Sequence, residues 1–74
     1  IQFDVPQRVD LTLSVYDLLG RRVKTLVKDN LDIGSYHVKW DGSSDAGEML
    51  SSGMYFYELT SSKFHSVKKL ILVK

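Results

Sequence analysis

The feature that most restricts the fold of this chain is an alternation of period two along most of its length. Val9, Leu11, Leu13 and Val15 alternate with Asp10, Thr12 and Ser14. Successive side chains of a strand point to opposite faces, so four matches in a row specify a strand with one face on a core. Ile1, Phe3 and Val5 alternate with Gln2 and Asp4, up to Pro6, which lacks the N–H that a ladder needs. Tyr36, Val38 and Trp40 alternate with His37 and Lys39, and Tyr55, Tyr57 and Leu59 with Phe56 and Glu58. From Val67 to Val73 the chain is apolar on both faces, at Leu70, Ile71, Leu72 and Val73, which predicts a central or well-covered strand.

The turn residues agree. Gly20 follows Asp17-Leu18-Leu19 and predicts a hairpin with Tyr16 and Val23 on its arms. Asp29-Asn30 and Gly34 bound an expected loop, and Asp41-Gly42 and Ala46-Gly47 break the chain after Trp40. Ser51-Ser52-Gly53 precedes the Tyr55 strand, and Ser61-Ser62-Lys63 joins the last two strands. Leu18 to Lys28 also carries a short helical pattern, through Leu19, Val23, Leu26 and Val27. Strand is the better reading, because Gly20 breaks the first turn and Val23, Thr25 and Val27 alternate. Turns about every 8–12 residues predict a small antiparallel β-sandwich of about six to seven strands.

At 74 residues the chain holds one domain, residues 1–74, with no linker dividing it. A core this small rarely supplies more than about 3–5 kcal/mol, and with no cysteine there is no disulfide to help. Trp40, Tyr55 and Tyr57 are the expected core anchors, while Phe56 and Phe64 are expected at the surface or against a neighbouring domain. The net charge of +1 argues against a nucleic-acid interface and a polybasic membrane patch. No apolar run approaches the roughly 20 residues of a membrane helix. A first residue other than Met suggests a piece of a longer protein.

Few residues suggest chemistry. His37 and His65 fall at outward strand positions and read as solvated histidines. Asp41, Asp45 and Glu48 share one loop with Gly42 and Gly47, loosely like an oxygen-ligand cation loop. Ser43 holds a position usually taken by Asp or Asn there and Gly47 comes one place late, so the preferred reading is that Asp41 and Asp45 cap turns. Arg21, Arg22, Lys24 and Lys28 form one basic group, and Lys63, Lys68, Lys69 and Lys74 another; both read first as solvated faces. No nucleophile, base and oxyanion donors assemble, no cofactor motif is present, and an enzyme is the least supported class.

The order of motifs says more than any one of them. Leu13-Ser14-Val15-Tyr16-Asp17-Leu18-Leu19-Gly20-Arg21-Arg22-Val23 is followed by Gly34-Ser35-Tyr36-His37-Val38-Lys39-Trp40-Asp41-Gly42 and Asp45-Ala46-Gly47. Ser52-Gly53-Met54-Tyr55-Phe56-Tyr57-Glu58-Leu59 and Lys68-Lys69-Leu70-Ile71-Leu72-Val73-Lys74 complete the series. This succession resembles the C-terminal sorting domain of type IX secretion cargo, and equally the related Ig-like domain of the flagellar hook-capping protein. Tyr16, Asp17, Gly20, Arg21, Trp40, Gly53, Tyr55 and Tyr57 carry the pattern as fold-making positions. Gly53 is read as a place where a side chain would crowd the backbone.

The resemblance implies an Ig-like sandwich at the end of a larger secreted protein of a Gram-negative bacterium in or near the Bacteroidetes. The module would pass through the periplasm to the cell surface or medium. Its partners would be the outer-membrane secretion machinery, a transpeptidase that removes it, and the N-terminal cargo domains. The final Lys74 favours the sorting branch, whereas the Pro-Asn-Pro motif usual upstream is missing. Recognition would use the last hairpin, with Lys68, Lys69, Leu70, Leu72 and Lys74 as its candidates. The alternatives are a structural or carbohydrate-binding accessory module and a hook-cap-like assembly domain. An exposed coplanar pair of aromatic rings would mark the carbohydrate-binding case.

Overall fold

A computed structural model describes residues 1–73. They form six strands and no helix: β1 (Gln2–Val5), β2 (Val9–Tyr16), β3 (Arg22–Leu31), β4 (Gly34–His37), β5 (Gly53–Thr60) and β6 (His65–Leu72). β1 and β4 pair as a two-stranded sheet, while the other four form a sheet of order β3-β2-β5-β6. Every pairing is antiparallel. The two sheets face each other as a small Ig-like β-sandwich, as the alternation predicts.

The core lies between β1 and the middle of the larger sheet. Phe3 and Val5 pack with Val9, Leu11, Leu13 and Leu59, and Leu13 is 0% exposed. Ile1, Leu26, Val27, Leu31, Tyr36, Val38, Tyr57 and Phe64 close around them, half-buried. Aliphatic side chains, chiefly from β2, together with Phe3 therefore make most of the centre, and Tyr36, Tyr57 and Phe64 rim it. Tyr55 is buried as expected, but Trp40 and Tyr57 are only half-buried. Phe64 packs on the core and Phe56 is half-buried, so neither is the exposed ring expected of it.

Three further expectations change. β4 ends at His37, so Trp40 lies beyond the strand; its indole N–H donates to the Ser43 carbonyl at 2.8 Å, and its ring meets Tyr55 edge-on. β3 continues through Asp29 and Asn30, which pair with Leu11 and Asp10, leaving Asp32 and Ile33 as the connection to β4. β6 is the outer strand of its sheet, with Val67 52% and Ile71 68% exposed, not a covered strand. An apolar sequence on both faces does not distinguish a strand inside a sheet from an edge awaiting cover.

The alternation within β3 also breaks. The register with β2 slips twice, leaving Leu26 and Val23 as extra residues on β3. Each bulge reverses the faces beyond it. Val27 pairs with buried Leu13, but Thr25 pairs with Ser14 on the opposite face. Consecutive residues from Val23 to Val27 are consequently all half-buried. The strand is real, while its assumed period of two is not.

The two ends of this burial scale are testable. Leu13→Ala should cost about 2–5 kcal/mol, enough to leave a domain of this size largely unfolded. Ile71→Ala should stay within about 0.5 kcal/mol of the parent. Urea unfolding of both variants checks this, and comparable losses would contradict the assignment of core and edge.

Candidate functional site

The Tyr16-Asp17…Gly20-Arg21 motif builds the β2–β3 turn. Asp17 Oδ1 accepts from the backbone N–H of Leu19 at 2.9 Å and of Arg21 at 3.0 Å, while Oδ2 accepts from Arg21 Nε at 2.9 Å. The Asp17 N–H donates to the Arg21 carbonyl, and the Gly20 N–H to the Asp17 carbonyl, each at 3.0 Å. Gly20 has φ of 82°, which strains any residue with a Cβ. One carboxylate thus serves two backbone donors and a guanidinium. The Arg21 backbone N–H, ahead of the guanidinium and the Leu19 N–H, holds the Asp17 carboxyl below its usual range. The glycine is legible in the sequence; the capping role of Asp17 was missed, although aspartate at a turn start is the signal for it.

This turn presents Leu18 and Leu19 to solvent. A shallow groove of about 400 Å³ runs from Asp17, Leu18 and Arg21 to Met54 and Tyr55. A second, of about 250 Å³, lies between Tyr16, Leu18, Phe56, Glu58 and Val67. At Gly53 the expected crowding is absent, since a Cβ would meet no atom within 4 Å; its φ of 154° lies where L side chains are rare. The Tyr55 hydroxyl donates to the Ser51 carbonyl at 2.7 Å and ties down the approach to β5.

On the outer face of the larger sheet, a polar chain crosses three strands. The Tyr16 hydroxyl donates to Glu58 Oε1 at 3.1 Å, and His65 Nε2 lies 2.6 Å from Glu58 Oε2. Burial, then the hydrogen bond to Glu58, raises the Tyr16 pKa. Sequence reading did not single out Glu58. Alternation places it on the face of Tyr16, but only the strand register shows that β2, β5 and β6 bring the three together. His65 and His37 are exposed, as expected.

The acidic loop does what its turn-capping reading requires. Asp41 Oδ1 accepts from the Ser43 hydroxyl at 2.6 Å and the Ser43 N–H at 2.9 Å, and these bonds lower its pKa, the hydroxyl most. Asp45 lies against the edge of β3: its N–H donates to the Val23 carbonyl at 2.9 Å, and its Oδ1 accepts from the Thr25 N–H at 3.1 Å. Glu48 takes part through its backbone, accepting from the Ser44 N–H at 2.8 Å. Among the described residues no three His, Cys, Asp or Glu side chains are placed to hold a metal ion. The described ring contacts are the stacked Phe3–Tyr36 pair, with Phe3 buried, and the edge-on Trp40–Tyr55 pair. Neither is an exposed coplanar platform for a sugar.

The recognition candidates lie together on β6. Lys68 pairs with Tyr57, Lys69 with Phe56, Leu70 with Tyr55 and Leu72 with Gly53. The lysines are exposed and project from opposite faces, while Leu70 and Leu72 are half-buried on the face of Tyr55. Neither lysine has an ion-pair partner among the described residues. Lys74 lies outside the described residues.

The family model for the FlgD Ig-like domain matches residues 1–64, which span β1 through β5 and the turn before β6. The comparisons with curated proteins and with solved structures give no match.

The Asp17 turn generates an acid-dependent prediction. A carboxyl held below its unfolded value stabilises the fold above the unfolded pKa of about 3.9, and that support is lost as pH falls through the folded value. Asp17→Ala should lower Tm at neutral pH, with Asp17→Asn between it and the parent. The gap between parent and Asp17→Ala should close on acidification through about pH 4 and below. Melting curves across pH check this; a gap that stays constant into strong acid would contradict the role of the carboxylate.

Proposed function

This chain belongs to the FlgD Ig-like domain family, and we propose from that membership that it is a non-catalytic sorting module of type IX secretion. In this reading it directs a larger cargo from the periplasm across the outer membrane to the cell surface or medium. The observation that carries the reading is β6. Its Lys68-Lys69-Leu70-Ile71-Leu72 stretch resembles the terminal motif of the sorting domains. It leaves Lys68 and Lys69 without ion-pair partners among the described residues, above a half-buried Leu70 and Leu72.

The turns support a role without catalysis. Asp17, Asp41 and Asp45 each accept hydrogen bonds from the backbone of their own or a neighbouring turn. Carboxylates held this way serve the fold. The partners in this reading are the outer-membrane translocon, its transpeptidase and the cargo domains ahead of the module.

A second reading is an assembly domain like that of the hook-capping protein. The family match is equally compatible with it, since the matching model is that of the FlgD Ig-like domain.

A reporter fusion separates the two. The segment, with its native upstream residues, is fused to a periplasmic reporter in a host with type IX secretion. The sorting reading predicts reporter at the surface or in the medium, lost when the translocon is inactivated. A folded fusion held in the periplasm would contradict it and favour the assembly reading.

A further inference from the structure

The two edges of the four-stranded sheet are finished differently. At β3, the loop at Asp45 bonds to the backbone of Val23 and Thr25 and occupies part of the edge. At β6, no backbone hydrogen bond arrives from any segment other than β5 among the described residues, apart from the turn that joins the two strands. β6 pairs with β5 over all eight residues without a register shift, so its far side is a straight row of donors and acceptors. Val67 and Ile71 stand exposed on one face of this strand. A long, regular, apolar edge is a template for another strand.

Charge decides what that strand can be. From Leu59 to Lys74 the chain has Lys63, Lys68, Lys69 and Lys74 and no Asp or Glu. The nearest strand carboxylate, Glu58, is already engaged by Tyr16 and His65. A second copy is a poor fit. Lys68 and Lys69 are the middle two residues of β6 and lie on opposite faces, and antiparallel pairing of two copies through this edge keeps the faces aligned, so the central registers put Lys68 opposite Lys68 or Lys69 opposite Lys69. Like charges directly opposite are destabilising. Carboxylates at the same two places would be attracted, one on each face of the sheet.

We propose that the free edge of β6 binds an extended segment of a partner protein, added antiparallel to the sheet, with two adjacent acidic residues flanked by apolar β-branched ones. Main-chain hydrogen bonds to β6 supply the affinity of such an added strand. The acidic pair opposite Lys69 and Lys68 sets its register, and flanking Val or Ile residues cover Val67 and Ile71. The lysines that oppose self-pairing thus select the partner. The inference deepens the sorting reading, and its meaning in the cell rests on that reading; the binding itself does not.

The test uses the 74-residue chain and a fluorescein-labelled peptide, Val-Ile-Val-Glu-Glu-Ile-Thr-Thr, written in the antiparallel register from Leu72 to His65. Fluorescence anisotropy should show saturable binding that weakens with salt. Lys68→Glu with Lys69→Glu should weaken it about tenfold. A peptide with Lys-Lys in place of Glu-Glu should bind the reversed protein and not the parent, a swap that misfolding cannot produce. N-methylation of alternate peptide residues on the bonding side should abolish binding. The proposal is overturned by absent saturable binding, by indifference to the charge reversal or N-methylation, or by dimerisation of the parent through β6. Peptide binding that survives while export fails would count against the sorting reading alone. Export that survives without peptide binding would count against the edge alone.

Discussion

The structure depends on the enclosure of β2. This strand pairs with β3 from Val9 to Tyr16 and with β5 from Thr12 to Tyr16, so its central part has a neighbour on both sides. Its face is covered by Phe3 and Val5 of β1, and Leu11, Leu13 and Val15 are all but inaccessible to water. A strand paired on both edges and roofed on one face can be removed only with the whole fold. In a domain of 74 residues without cysteine, no other element has comparable burial. The adjoining features can be understood as ways of holding β2 in place or of finishing the sheet around it.

The Asp17 carboxylate reverses the chain at the end of β2 and so brings β3 alongside. The bulges at Leu26 and Val23 then turn β3 so that consecutive side chains approach the core. The Asp45 loop finishes the β3 edge. On the other side the construction stops early. Two strands cannot roof a sheet of four, so the β5–β6 half keeps less cover. Among the described residues β6 pairs with β5 alone, and its outer face carries Val67, Lys69 and Ile71. An element with few stabilising contacts is one that a partner can use without disturbing the core.

Much of this was legible in the sequence, for reasons that apply to particular residues. The β2 alternation is four matches long and specifies its buried face. Gly20 fixes a turn because only glycine takes its φ without strain. The ordered motifs pointed to an FlgD-like Ig-like domain, which the family match supports. What could not be read depends on long-range pairing. Trp40 looks like a core anchor by residue type, yet it lies past the end of β4 and seals a loop through its N–H. Bulges leave no clear mark on an amphipathic strand, so alternation alone puts Thr25 on the wrong face. The apolar run in β6 reads as buried, because sequence records what a surface is made of and not whether anything covers it. The Tyr16–Glu58–His65 chain needs the register of three strands at once.

The central claim is that β2 is the spine of the domain and β6 an edge secured on one side only. Native-state hydrogen exchange tests it most directly. The account predicts that the amides of Leu11 and Leu13 exchange only through global unfolding. Amides of β6 should alternate, those facing β5 protected and those facing outward exchanging fast. Uniform protection of β6 at the level of β2, or exchange of the β2 amides through local opening, would contradict it.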